Sequence, residues 1–416
     1  MGPRSLACML PQELVPQMRA LAETVFRLVR RDKSQTAVHL VSRLLSELDL
    51  QQKEASESER EQRAYLLNLR GVIYAQRNQE QTALADLTAA NQQSPQWAVP
   101  LYNLGLCHKK ARRWAEMTDV LSQALAGLRR QAGRLTSTSA LAQGSHLSRS
   151  VLWNLGLSQT ALGKLDEARS CWQACGLLSG RPGGASDLGL AQLSLPTTGP
   201  YSVERVWVQR VDPVRARILS VVRYGAACQF GDVVLCDTQG QGNFYDGLTG
   251  SDGDETLPEE SANGLLFIDP IESAGYALHV VQGPSATPSQ AMSLTERLRE
   301  HGLHIEVWSL TMRLPGSSSP PEGEDRSVPL CAGLVIPAGP MKEAVPLGPI
   351  RLSDGEIPSA LLPNDAQRTA EKAVAVLNNA ARDLGLSLYA PSLMDAAGDE
   401  LGAARHRRAL RRSSPA

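Results

Sequence analysis

Aromatic residues are scarce, at 4% of 416 residues with only 4 phenylalanines, so Trp and Tyr recurring at a fixed spacing carry unusual weight. A surplus charge of either sign is also missing: 42 Lys and Arg face 43 Asp and Glu, a formal net charge of −1. With no chain-wide field to hold a polyanion or a charged membrane surface, nucleic acid is disfavoured as a partner. No run of 18 apolar residues occurs, so no helical membrane span is expected. The apolar stretch Leu6 to Leu10 is too short for an export signal and is broken by Pro11, Gln12 and Glu13. The 7 cysteines (Cys8, Cys107, Cys171, Cys175, Cys228, Cys236, Cys331) are an odd number in a chain too long to need staples. Reduced thiols and a cytoplasmic location are the expectation.

What is present is an internal repeat. Leu67-x-x-Arg70-Gly71-x-x-Tyr74 is followed by Ala83-x-x-x-Leu87, Ala90 and Pro95, a layout of two amphipathic helices joined by a turn. Leu101-x-x-Leu104-Gly105-x-x-His108 and Met117-x-x-x-Leu121 with Ala124 repeat it, and Gly105 lies 34 residues after Gly71. A third copy, Leu152-x-x-Leu155-Gly156-x-x-Gln159 with Ala168-x-x-x-Trp172 and Cys175, follows at a distance of 51 residues, which implies an insertion at about 131–147. Small residues at the motif glycines let the first helix of a pair approach the second closely. The pattern resembles the tetratricopeptide repeat family over residues 64–181, with His108 and Met117 departing from it in the second copy. The resemblance implies an all-α solenoid whose first helices line a concave, peptide-binding surface.

Residues 1–50 carry helical apolar periodicity at Leu14, Met18, Leu21, Val25 and Leu28, then at Val38, Val41, Leu44, Leu45 and Leu48. They read as a helix pair that is a degenerate repeat or a cap. Residues 51–62 are polar and read as an exposed connection. Gly, Pro, Ser and Thr dominate from 182 to 200, the composition of a linker. Short runs of β-branched and apolar residues then alternate with helical stretches over 201–400, a mixed α/β domain that resembles no recognised family. Strands are expected at Val203–Val211, Ala216–Val222, Asp232–Asp237, Leu265–Ile268, Tyr276–Val281, Ile305–Leu310 and Leu386–Tyr389. Helices are expected from the capping boxes Ser293-x-x-Glu296 and Asn364-x-x-Gln367, ending at Gly302 and Gly385. Residues 401–416 read as a basic, disordered tail. The fold class is therefore α+β multidomain, a helical solenoid followed by a mixed α/β domain.

No catalytic motif, cofactor site or metal site emerges. Gly240-Gln241-Gly242 has Tyr245 where a dinucleotide fingerprint needs glycine, and Gly163-Lys164 lacks the flanking residues of a phosphate loop. His301-x-x-His304-x-Glu306 offers zinc donors, but a helix end followed by a strand start fixes no common face for all three. Cys171 and Cys175 share a helix side and read as packing. The acidic cluster at 252–260 lacks calcium-loop spacing and reads as solvated.

The groove is the stronger candidate. Asn103 and Asn154 each stand two residues before a motif glycine, and the resemblance implies that carboxamides here hold a peptide backbone. Tyr102 and Trp153 precede them, with Tyr65 and Asn68 in the first copy and Lys109 and Lys110 further along. Tyr102 and Trp153 are each either a binding anchor or inter-repeat packing. The expected function is a protein-interaction adaptor or scaffold holding a partner segment, with the C-terminal domain as second contact or regulatory module. An enzyme or small-ligand sensor in residues 201–400, delivered by the repeats, is the alternative.

Overall fold

The computed structural model describes residues 15–50, 56–133, 146–175, 189–198, 202–223, 225–238, 264–311, 327–337 and 366–413. Two compact units divide the chain: Met1–Ser186 with Thr238–Asn263, and Asp187–Asp237 with Gly264–Ala416.

The first unit is helical among the described residues. Its helices are α1 (Val15–Arg30), α2 (Ser34–Asp49), α3 (Glu57–Gln76), α4 (Glu80–Gln93), α5 (Ala98–Lys110), α6 (Trp114–Gly133), α7 (His146–Ala161) and α8 (Leu165–Ala174). They form four pairs, and every pair is joined by the same turn. Asp32, Asn78, Arg112 and Gly163 each adopt the left-handed region, with φ of 58°, 59°, 57° and 74°. The residue after each donates its backbone N–H five residues back: Lys33 to Leu28, Gln79 to Tyr74, Arg113 to His108 and Lys164 to Gln159, at 2.8–2.9 Å. A left-handed residue ends the first helix and satisfies its last carbonyls. The N-terminal pair α1–α2 thus shares its turn with the other three, although it lacks their small residues.

Close approach within a pair depends on the motif glycines. A Cβ at Gly71 would lie 2.8 Å from Leu87 Cγ, one at Gly105 2.7 Å from Leu121 Cδ2, and one at Gly156 would collide with the Trp172 indole. The pairs therefore share one contact, with Trp172 replacing leucine in the last. Arg70 forks onto Asp86 of its own pair with bonds of 2.7 and 2.8 Å and reaches Ser42 Oγ of the preceding pair at 3.1 Å, tying α2, α3 and α4 together. Ser56 and Glu59 form a reciprocal capping box, so α3 begins at Glu57, inside the stretch expected to be an exposed connection. The expected insertion at 131–147 is helical at its edges, in α6 up to Gly133 and α7 from His146, and residues 134–145 lie outside the described residues.

The second unit is built on strands. Strands β1 (Leu190–Pro196), β2 (Val203–Arg210), β3 (Arg215–Ile218), β4 (Val233–Thr238) and β5 (Leu265–Glu272) form a closed barrel. Neighbours β1–β2, β2–β3 and β3–β4 are antiparallel, and β1 and β5 are parallel, with Leu193 opposite Leu265. Alternation along the strands sends Leu193, Leu195, Val206, Val208, Ala216, Ile218 and Val234 into one apolar core. A second, three-stranded sheet follows, of β6 (Tyr276–Ala286), β7 (His304–Val307) and β8 (Val328–Pro337) in the antiparallel order β6-β8-β7. Helices α9 (Pro288–Glu300) and α11 (Ala366–Asp383) pack on it around Leu294, Leu298, Leu334, Ala373 and Leu377, joined by α12 (Pro391–Ala396) through Leu393. A short helix α10 (Trp308–Thr311) follows β7, and α13 (Glu400–Ser413) is the last element.

The 182–200 linker reading is corrected, because β1 occupies Leu190–Pro196 and is the strand that closes the barrel. Its two inward leucines, Leu193 and Leu195, are masked in the sequence by the surrounding Gly, Pro and Thr. The first helix of the unit starts earlier than its expected box: Thr287 caps it, accepting from Gln290 N–H, while Gln290 accepts from Thr287 N–H. The expected strand at Ile305–Leu310 stops at Val307 and turns into α10. Leu386–Tyr389 makes only an isolated bridge, Tyr389 to Gln282. β8 had no counterpart in the expectation. The expected tail at 401–416 is helical to Ser413.

Two tests follow from the packing. Gly105→Ala forces Leu121 aside in a tight interior and should cost about 1–3 kcal/mol, read as a shift in the urea midpoint. In the second unit, burial and the nearby Arg299 hold the His304 imidazole down to about 4, against the Phe230 ring at 4.1 Å. Between pH 6.5 and 4 the unfolded chain therefore takes up a proton that the native state refuses, so stability falls as pH is lowered through this window. Burial raises the Glu306 pKa and partly offsets the loss. Replacing His304 with Phe should flatten this acid limb in urea titrations at stepped pH.

Candidate functional site

The residues singled out in the repeats lie on α3, α5 and α7, the first helices of three successive pairs. Asn103 and Asn154 hold the same place relative to their glycines, and Asn68 stands one residue off that register. All three carboxamides are 0% exposed. Asn103 Nδ2 donates to Asn68 Oδ1 at 2.9 Å, linking α5 to α3. Lys109 Nζ donates to Asn154 Oδ1 at 2.8 Å, linking α5 to α7, and Asn154 Nδ2 donates back to the Ser150 carbonyl. Lys110 Nζ donates to the Ala75 carbonyl at 3.1 Å, at the C-terminal end of α3 where carbonyls lack helical donors. A polar row of amides and ammonium groups therefore runs across the three helices.

The aromatic residues behave differently. Tyr65 is enclosed by Ala22, Val25, Val38 and Ile73, stacks on Trp97 at 6.2 Å and donates its hydroxyl to the Met18 carbonyl at 3.4 Å. Tyr102 packs in the cluster of Leu101, Leu106 and Leu121. Both rings are buried, Tyr65 at 0% and Tyr102 at 3% exposure. Trp153 is buried as well, at 5% exposure. The physical reason is that adjoining pairs must fill the space between their first helices, and large rings do so with few rotatable bonds. Lys109 is half-buried, and of the eight candidates Lys110 alone is exposed.

Other motif residues take structural roles. His301 lies at the end of α9, while β7 after it fixes His304 and Glu306 on one face. There His304 stacks on Phe230, and Glu306 Oε2 accepts the Val221 N–H at 2.8 Å, joining sheet to barrel. Among the described residues no three His, Cys, Asp or Glu side chains stand together as metal ligands. Gly163 is the turn residue of the last pair. Cys171 and Cys175 are buried free thiols, pushed up to about 11 and about 12 by burial. The acidic cluster at 252–260 and the glycines at 240–242 lie outside the described residues. Sequence reasoning missed the Arg70–Asp86–Ser42 bonds. Its available signal was the opposite charge of Arg70 and Asp86 on the two helices of one pair.

No helix among the described residues is long and apolar enough to cross a membrane. No family model matches the chain, and no curated protein matches it. Fold and site together define an α+β protein with helical pairs in its first unit and a strand-rich second unit.

Asn103→Ala removes the donor to the buried Asn68 oxygen. The expected cost is about 1–3 kcal/mol in chemical denaturation, from the loss of a buried hydrogen bond between α3 and α5.

Proposed function

We propose that the helical unit is a tetratricopeptide-like solenoid that acts as an adaptor, holding a segment of a protein partner along α3, α5 and α7. The observation that carries this reading is the polar row linking those helices through Asn68, Asn103, Asn154 and Lys109. Carboxamides both donate and accept, so a row of them suits the alternating N–H and C=O groups of an extended backbone. Because the three carboxamides are enclosed, binding in this reading requires the first helices to part and exchanges the Asn103–Asn68 bond for amide–backbone bonds, while Lys109 and Lys110 supply charge to an acidic residue or a carboxylate on the partner. The shared left-handed turn supports the solenoid, and it extends the set to α1–α2 as a fourth pair. The strand-rich unit serves in this reading as a second contact or regulatory module. The free thiols of the described cysteines are in keeping with a reducing, cytoplasmic setting.

The test places a photo-crosslinking amino acid at position 110, the exposed end of the row, and captures partners from native lysate. The expected result is a crosslinked segment whose yield drops roughly 10-fold or more in Asn103→Ala/Asn154→Ala, the scale of a binding hot spot, with the helical circular dichroism retained. No crosslink, or one indifferent to the double substitution in a folded variant, rejects the adaptor reading.

A further inference from the structure

The last helix carries a surface that the adaptor reading leaves unused. α13 is held on the rest of its unit by one face. Ala403 on that face is fully buried, while Asp399 only caps the first turn, its Oδ1 accepting the Gly402 N–H at 2.8 Å. His406 Nδ1 accepts the Ala390 N–H at 3.1 Å, and its ring meets Tyr389 edge-on at 5.6 Å. Arg407 pairs with Asp395. On the helical wheel, Arg405, Arg408 and Arg412 project on the opposite side from Ala403 and His406, spaced by three and four residues, with Arg411 beside them. All four arginines are exposed. Among the described residues none of them forms an ion pair with a carboxylate, and Glu400 is the sole acidic residue of the helix.

Such a face is unfavourable on its own, because like charges three and four apart on a helix repel. The other long helices of the unit mix signs: α9 carries Glu296, Arg297, Arg299 and Glu300, and α11 carries Arg368, Glu371, Lys372, Arg382 and Asp383. A solvated surface is served by that mixture, and a row of one sign is served by a polyanion. Guanidinium forks match phosphate oxygens in pairs. Leu401, 79% exposed, is the single large apolar side chain on that face, too little for a helix that buries an apolar side in lipid. A helix of this width fits the major groove of B-form DNA, whereas the major groove of duplex RNA is too narrow for it.

We infer that the arginine face of α13 binds the phosphate backbone of duplex DNA, without dependence on base sequence. The near-zero charge of the whole chain had argued against nucleic acid. That argument averages over the molecule, whereas contact is made by one anchored face of it. The inference is independent of the adaptor reading, since it concerns a different unit and a different ligand.

The test is fluorescence anisotropy of a labelled 20-base-pair DNA duplex with the full chain at stepped salt. Four phosphate contacts predict a log–log slope of about −3.6, so affinity should weaken roughly 100-fold between 50 and 200 mM salt. Arg405→Gln/Arg408→Gln/Arg411→Gln/Arg412→Gln should abolish most of the binding and flatten the slope. A charge-matched control, Arg19→Gln/Arg27→Gln/Arg30→Gln/Arg31→Gln on and after α1, should leave both unchanged, and circular dichroism checks that both variants are folded. Absence of binding at 50 mM salt overturns the inference, as does equal loss in the two variants. Polyglutamate of matched charge that displaces the duplex with equal efficiency overturns it in favour of an acidic protein segment. Tighter binding to an RNA duplex of the same sequence overturns it in favour of RNA.

Discussion

Three helix pairs of this protein, α3–α4, α5–α6 and α7–α8, close only because one residue in each has no side chain. Gly71, Gly105 and Gly156 bring the first helix of each pair against Leu87, Leu121 and Trp172 of the second, at distances that leave no space for a methyl group. The rest of the helical unit follows from that approach. A left-handed residue makes the turn inside every pair, α1–α2 included, and the outer flanks of the pair are left to meet the next one. Those flanks are filled by Tyr65, Tyr102 and their neighbours, and the amides of Asn68, Asn103 and Asn154 are drawn into the same interior.

Much of this was legible. The spacing of small and large residues that announces a helix pair is the same spacing that packs it, so periodicity alone located α3 to α8 and the glycines at their crossings. The turn residues were less legible, since Asp32, Asn78, Arg112 and Gly163 share a conformation but hardly a chemistry. The direction of Tyr65 and Tyr102 could not be read either. A ring next to a motif asparagine suits both a binding surface and an inter-pair seam, and only the seam's volume decides between them.

The strand-rich unit was read less well for a general reason. A helix repeats its pattern over three or four turns, whereas β1 has two inward residues, Leu193 and Leu195, to declare itself among turn-forming neighbours. β8 went unread although it is the central strand of its sheet, with β6 on one side and β7 on the other. Its Val-Pro-Leu-Cys-Ala-Gly-Leu run alternates poorly because both faces are covered, and Gly333 lies where Trp308 and Val221 leave no space for a side chain. For α13, composition pointed one way and anchoring the other. Arginine-rich sequence reads as a solvated tail until Ala403, His406 and Arg407 are seen to fasten it.

The pairing of β1 with β5 also governs the order in which the chain acquires structure. Leu193 meets Leu265, 72 residues further along the chain, and the barrel cannot close before that second strand is available. The helix pairs are built from neighbours in sequence and pay little loop entropy to form. During synthesis the N-terminal unit can therefore fold as it emerges, while β1 to β4 wait with unsatisfied edges for β5. Among the described residues the barrel strands therefore wait longest for a pairing partner, at a time when the helix pairs before them can already be closed.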